Sequence, residues 1–251
     1  MKTRSWRDDP LCGPRETQPA AFWGPERLDS SAFVELVGML EPEIEIRALL
    51  AALDGMTDVV DVGGGTGLIT QAIAARAPVL VIEPDPAQRA QLPPGISVRD
   101  GRAEAVPVEA GGADAAIATW VLQYCDDPMR AVDELARVAR RCVAIIQAAP
   151  TNDLVEVYNR EAAVAGLPAA HHGWLLAEAA DRLERAGFRV TLEHLPIPVR
   201  ATDARALAAT LARLHFAGHS AQARMVDATA PYLSARLARL ADDGVLLVGR
   251  R

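Results

Sequence analysis

Cysteine is scarce in this sequence: Cys12, Cys125 and Cys142 are the only three, and no two form a CxxC pair. That argues against a disulfide framework and a structural zinc site, and it fits a reducing compartment. An excess of basic residues is lacking too. Lysine and arginine number 26 against 33 carboxylates, a net charge of −7, whereas binding a phosphate backbone needs a basic footprint. Nucleic acid is not an expected partner. The arginines alternate with acids, as in Asp181-Arg182-Leu183-Glu184-Arg185, the pattern of a solvated helix face. No uncharged apolar run approaches the length of a membrane span, and Met1 to Trp23 lacks the apolar h-region of a signal peptide. A soluble, cytoplasmic protein with no membrane partner is expected.

Half of the 251 residues are apolar, ample for one substantial core. Strand-like apolar runs alternate with helical patterns, which predicts an α/β fold with a parallel sheet and crossover helices. Strands are expected at 58–62, 79–83, 96–100, 113–119 and 142–148, with two more at 188–195 and 245–249. Their near-continuous apolar character predicts burial on both faces. Helices are expected over 30–53 (broken near Pro42), 128–140, 175–186, 203–214 and 231–240. In the second of these, Asp126 or Asp127 serves as the cap, Pro128 fits the first turn, and Met129, Val132, Leu135, Ala136 and Ala139 form one stripe. The first thirty residues, with Trp6, Phe22 and Trp23 set among Pro, Gly, Asp and Arg, read as an irregular arm or lid.

The most informative segment runs from Asp58 to Leu68. A β-prone stretch enters Gly63, Gly64 and Gly65, and Gly67 precedes the next helix. Such a turn lets a ligand touch bare backbone, and the helix N-terminus behind it offers unpaired N–H groups. A dinucleotide fingerprint wants its third glycine where Leu68 stands, and Asp61 would repel a pyrophosphate. Asp61 suits a cationic ligand better. Glu83 ends the second strand, where a carboxylate can accept two hydrogen bonds from ribose hydroxyls, whichever adenosine cofactor is present.

Asp61-Val62-Gly63-Gly64-Gly65-Thr66-Gly67 resembles motif I of the class I S-adenosylmethionine-dependent methyltransferases, small-molecule type. Asp100-Gly101-Arg102-Ala103-Glu104-Ala105-Val106-Pro107 resembles that family's G-D-A-E-x-L-P segment, which lies beside the adenine. Here Arg102 stands where an aspartate often holds the adenine amino group. Arginine has no acceptor, so that contact is lost or replaced, with stacking on the ring as one substitute. The run from Gly112 through Thr119 and Trp120 to Asp127-Pro128 is similar to the motif IV region. The resemblance covers residues 55–150 well and 175–250 in outline. It implies a Rossmann-like, seven-stranded, mostly parallel sheet with flanking helices, one antiparallel C-terminal strand and a helical or loop cap. It further implies S-adenosylmethionine as cofactor, held by Asp61, Gly63, Gly64, Gly65, Gly67, Glu83, Pro84, Gly101, Arg102, Ala103, Thr119 and Trp120. Residues 1–251 are expected to form a single domain, with 55–150 as cofactor core, 1–30 as arm, and 151–174 and 200–241 as cap elements.

Methyl transfer from a sulfonium is an in-line displacement governed by positioning and desolvation. Acceptors that must lose a proton usually lose it to histidine. Of five histidines, His171, His172, His215 and His219 lie in regions expected to roof the pocket. His172 first, then His171, are the candidates for that role. Trp23, Tyr124, Tyr158 and Trp174 are expected to line the substrate site, with Trp6 and Phe22 as further aromatic surface. No metal is expected, because adjacent histidines point apart and the nearby carboxylates lack ligand spacing. The function so implied is methylation of an N or O atom of a small molecule, in specialised metabolism. A nicotinamide-dependent oxidoreductase, disfavoured by Leu68 and Asp61, and a non-methylating protein that binds S-adenosylmethionine are the alternatives.

Overall fold

A computed structural model describes residues 6–12, 29–167 and 173–251. Helix α1 (Ser30–Val37) starts at Asp29, whose carboxylate accepts from the Ser31 and Ala32 amides. Helix α2 (Pro42–Ala52) has its proline in the first turn, so the helical stretch expected over 30–53 is broken near Pro42, as expected, into two helices. Proline fits a first turn but removes a rung from a helix interior. There follow β1 (Val59–Val62), α3 (Leu68–Ala74), β2 (Val79–Ile82), α4 (Pro86–Arg89), β3 (Ser97–Arg99) and β4 (Ala113–Thr119). The second half holds α5 (Pro128–Val138), β5 (Ala139–Ala148), α6 (Asp153–Ala165), α7 (Gly173–Arg185), β6 (Arg189–Leu195), α8 (Ala204–His215), α9 (Gln222–Ser234) and β7 (Gly244–Arg250).

The strands form one sheet in the order β3-β2-β1-β4-β5-β7-β6. All pairs are parallel except those of β7, which runs antiparallel to both β5 and β6. The chain moves outward from β1 to β3 and then returns to the other side of β1 with β4. That reversal opens a crevice at the carboxyl ends of β1 and β4, where open α/β sheets take ligands. Two apolar clusters fill the two faces of the sheet. A third, built from α1, α6, α8 and α9 around Leu36, Val157, Leu211 and Met225, belongs to a helical cap.

Several expectations are corrected. All three residues of β3 are exposed, because an edge strand has no neighbour beyond it. Helix α5 ends at Val138 and Ala139 opens β5; Asp127 is the residue that caps it. The helix expected at 231–240 begins instead at Gln222 and carries Pro231 near its end, while Leu237 sits in a short 3-10 turn. Burial of Met225, Val226, Thr229 and Leu233 in the cap outweighs the one rung that Pro231 removes. Within the arm, Trp6 and Cys12 are buried in the main core beside β6 and α7, not laid over the crevice. Among the described residues, no helix is long and apolar enough to cross a membrane.

Candidate functional site

A cavity of about 650 Å³ occupies the crevice between the strand ends and the cap. One end is the turn after β1. Gly63 has φ +73°, and a Cβ there would lie 2.6 Å from Val121 Cγ2, so only glycine allows this approach. Gly64 and Gly65 also line the wall. Beneath them lies Asp61, almost fully buried. Its Oδ2 accepts from the Thr70 hydroxyl at 2.6 Å, while its Oδ1 is buried with no partner. Burial pushes the Asp61 carboxyl up to about 6; the Thr70 bond opposes this and the Glu83 charge adds to it. A buried carboxylate oxygen without a donor is costly, and a cationic or N–H-bearing ligand would satisfy it.

Glu83 closes the same end. It accepts from the amides of Gly65 at 3.1 Å and Asp85 at 2.9 Å, which fixes the carboxylate against the glycine turn. Burial raises its pKa above the usual carboxylate value. A carboxylate has about four lone-pair positions, so two are left for a ligand. Pro84, Ala103 and Thr119 share this wall. Arg102 stands on the wall as well, but half-exposed and held by Asp126 at 2.5 Å and Glu104 at 3.5 Å. Ion pairing, not an open stacking face, accounts for its position. Gly67 and Gly101 stand off the cavity: Gly67 forms the left-handed entry to α3, and Gly101 makes room for Pro107 and Ile82.

Trp120, at the end of β4, has φ +58°, a conformation that costs a bulky residue about 1–3 kcal/mol. It is held there from three sides. Its amide donates to Ile146, its indole Nε1 donates to Glu45 at 2.8 Å, and its ring packs where Gly244 has no side chain. Trp120 thereby joins Glu45 on the part of the wall that α1, α2, α6, α8 and the ends of β4 and β5 supply, the inner end of the cavity.

The inner end joins residues from separated segments. His215 lines it, and its Nδ1 lies 2.6 Å from Oε2 of Glu161, a fully buried carboxylate. With Nδ1 committed to Glu161, Nε2 is the free ring nitrogen. Tyr158 meets the His215 ring edge-on at 5.2 Å and stacks on Phe216. Asp242 accepts from Asn152 Nδ2 at 2.6 Å. Burial pushes Asp242 up to about 6 and Glu45 up to about 7. Gln147 adds a buried Oε1 with no partner. Cys125 is no nucleophile, since burial lifts its thiol to about 12.

Of the expected substrate residues, Tyr124 and Tyr158 line the cavity. Trp174 does not: it is buried in the main core, where α7 packs on α5. His171, His172 and Trp23 lie outside the described residues. Among the described residues, no group of three or more metal-ligating side chains is assembled. The sequence reading missed Glu45, Gln147, Asn152, Glu161 and Asp242. A signal existed for two of them. Glu161 follows Leu154, Val157 and Tyr158 on the apolar stripe of α6, and Glu45 shares a face with Leu49 and Ala52 on α2.

Residues 60–146 match the family model of the methyltransferase domain. The match marks a methyltransferase domain over that stretch of the chain. No curated protein matches its sequence. Among solved structures, an Anabaena variabilis protein assigned to methyl transfer in an antibiotic biosynthesis pathway is 15% identical. That alignment covers 82% of this chain and 97% of the other, with a TM-score of 0.58. A SAM-dependent methyltransferase of Thermotoga maritima is 16% identical over 88% of this chain and 94% of its own, with a TM-score of 0.56. A Haemonchus contortus phosphoethanolamine N-methyltransferase, solved with S-adenosylhomocysteine, is 12% identical, with a TM-score of 0.53. Its alignment covers 82% of this chain and 52% of the other. At such identities the likeness establishes the fold. The orphaned Asp61 oxygen and the carboxylate of Glu83 beside a bare glycine turn fit S-adenosylmethionine, which carries an ammonium and two ribose hydroxyls.

Proposed function

We propose that this methyltransferase moves the methyl group of S-adenosylmethionine to an N or O atom of a small organic molecule held at the inner end of the cavity. The observation that carries the reading is the buried, unpartnered Oδ1 of Asp61 under the glycine turn, in the same cavity as a second polar cluster. Asp61 would receive the donor's ammonium, directly or through water, and Glu83 its ribose hydroxyls. The walls at Gly63, Gly64, Gly65, Pro84, Ala103 and Thr119 would exclude water from it. When bound, the donor supplies a methyl group made electrophilic by positive sulfur. The protein's contribution is to align the acceptor with it and keep both dry.

A cavity roofed by a helical cap favours a small acceptor over a polymer. The acidic balance of the chain argues in the same direction, against nucleic acid. The pathway of the Anabaena protein is consistent with a role in specialised metabolism. Incubation with S-adenosylmethionine and a panel of small amines, phenols and alcohols tests this, with S-adenosylhomocysteine followed by mass spectrometry. At least one small acceptor should give product, and transfer RNA should give none. Tight binding of S-adenosylhomocysteine without turnover on any acceptor would favour the non-methylating alternative.

A further inference from the structure

The wall of the cavity is acidic. Among the described residues, its charged side chains comprise six carboxylates (Glu45, Asp61, Glu83, Asp85, Glu104 and Asp242) and one guanidinium, Arg102, which Asp126 and Glu104 already hold. Asp61, Glu83 and Asp85 belong to the glycine end. Glu45 and Asp242 belong to the inner end, close enough that the charge of Asp242 bears on Glu45. Glu161 stands behind them on His215, and Asp243 lies beside Asp242. Gln147 contributes a buried oxygen with no donor. The groups left wanting are acceptors.

A neutral alcohol brings one donor to this place and a carboxylate brings none. An ammonium brings up to three donors and the opposite charge. Buried carboxylates are costly unless paired, and low-dielectric walls strengthen the pairing. Trp120, Tyr124 and Tyr158 also line the cavity, and aromatic rings can attract cations.

Resting on the methyl-transfer reading above, we propose that the inner end binds an amine with an apolar body. The amine enters as its ammonium at Asp242 and Glu45, and His215 removes its proton. The N–H proton passes to Nε2 of His215, while Nδ1–H stays on Glu161, which steadies the resulting imidazolium. The freed nitrogen lone pair forms the new N–C bond as the methyl C–S bond of the sulfonium donor breaks. That electron pair remains on sulfur, which leaves as a thioether. The product departs as a methylated ammonium, and His215 returns its proton to solvent. His215 is a catalytic residue in this scheme, and Glu161 is a positioning residue.

Calorimetric titration of the protein saturated with S-adenosylhomocysteine tests this with three probes of similar size: phenethylamine, phenethyl alcohol and phenylacetate. Phenethylamine should bind at least tenfold tighter than the other two. Asp242→Asn should remove that preference while leaving the alcohol within twofold. Glu45→Gln, should Asp242→Asn fail to fold, should weaken the amine in the same direction. In turnover of the best amine substrate, Glu161→Gln should displace the acid limb of the kcat/KM pH profile, a change that mere loosening of the cap would not give. Equal or tighter binding of the alcohol or the acid overturns the proposal, as does an amine that does not bind or a pH profile that stays in place. Failure of S-adenosylhomocysteine itself to bind would overturn the methyl-transfer reading as well. Its binding without an amine preference overturns this proposal alone.

Discussion

The glycine end of the cavity draws most of its wall from three short stretches of neighbouring residues, 61–69, 83–85 and 102–104, whereas the inner end is assembled from Glu45, Trp120, Gln147, Tyr158, His215 and Asp242 on separate elements. The first end works largely through backbone. Its tight turn, its close approach at Gly63 and its two carboxylates all follow from the passage of β1 and β2 into their helices. The second end works through side chains that only the cap and the sheet together bring into reach. A site of the first kind can be built on many sequences that keep the turn. A site of the second kind can be changed without touching the cofactor, which suits acceptor choice.

If that division is real, variants at the two ends should separate in their effects. The largest effect is expected at His215. His215→Gln should lower turnover of an accepted amine by about 10²-fold or more, the usual contribution of a positioned base. Affinity for S-adenosylhomocysteine should stay within twofold by calorimetry. A parallel loss of both would merge the two ends into one unit.

A smaller effect should appear in stability. The carboxyl of Asp61 is raised to about 6 in the folded protein, above its unfolded value. Its contribution to stability is therefore fully present at low pH and is lost as pH rises through about 6. Asparagine carries no such dependence. The melting temperature of Asp61→Asn, relative to the unsubstituted protein, should rise by several degrees between pH 4.5 and pH 7 without ligand. A constant difference across that range would remove the buried charge from the account.

The smallest effect is expected at the mouth. Arg102→Ala breaks exposed ion pairs, which are typically worth about 0–1 kcal/mol. It should change affinity for S-adenosylhomocysteine by less than about fivefold. A loss beyond tenfold would mean that Arg102 does stack on the adenine.

These differences also explain what could be read from sequence. The seven strands and the split at Pro42 were legible because apolar runs, proline and glycine act locally, whereas the antiparallel direction of β7 was implied only by the family resemblance. The misread helix near Pro231 shows the limit of that reading. Its start is set by Met225 and Val226 packing in the cap, and Ala221 offers no side-chain cap to announce it. At the site, Asp61 and Glu83 were legible from their spacing around a turn. His215 stood out only as one histidine among five, since its partner Glu161 is more than fifty positions away. Trp174 misled for a related reason: an aromatic residue beside a histidine pair looks like a lip, but the stripe of α7 turns it into the core.

The account depends most on Asp61 facing the cation of an adenosyl ligand, and calorimetric titration with S-adenosylhomocysteine tests that directly. The protein should bind it, Asp61→Asn should weaken it by about 1–3 kcal/mol, roughly five- to 150-fold, and NAD should give no heat. Affinity unchanged by Asp61→Asn, or NAD bound in preference, would contradict the account.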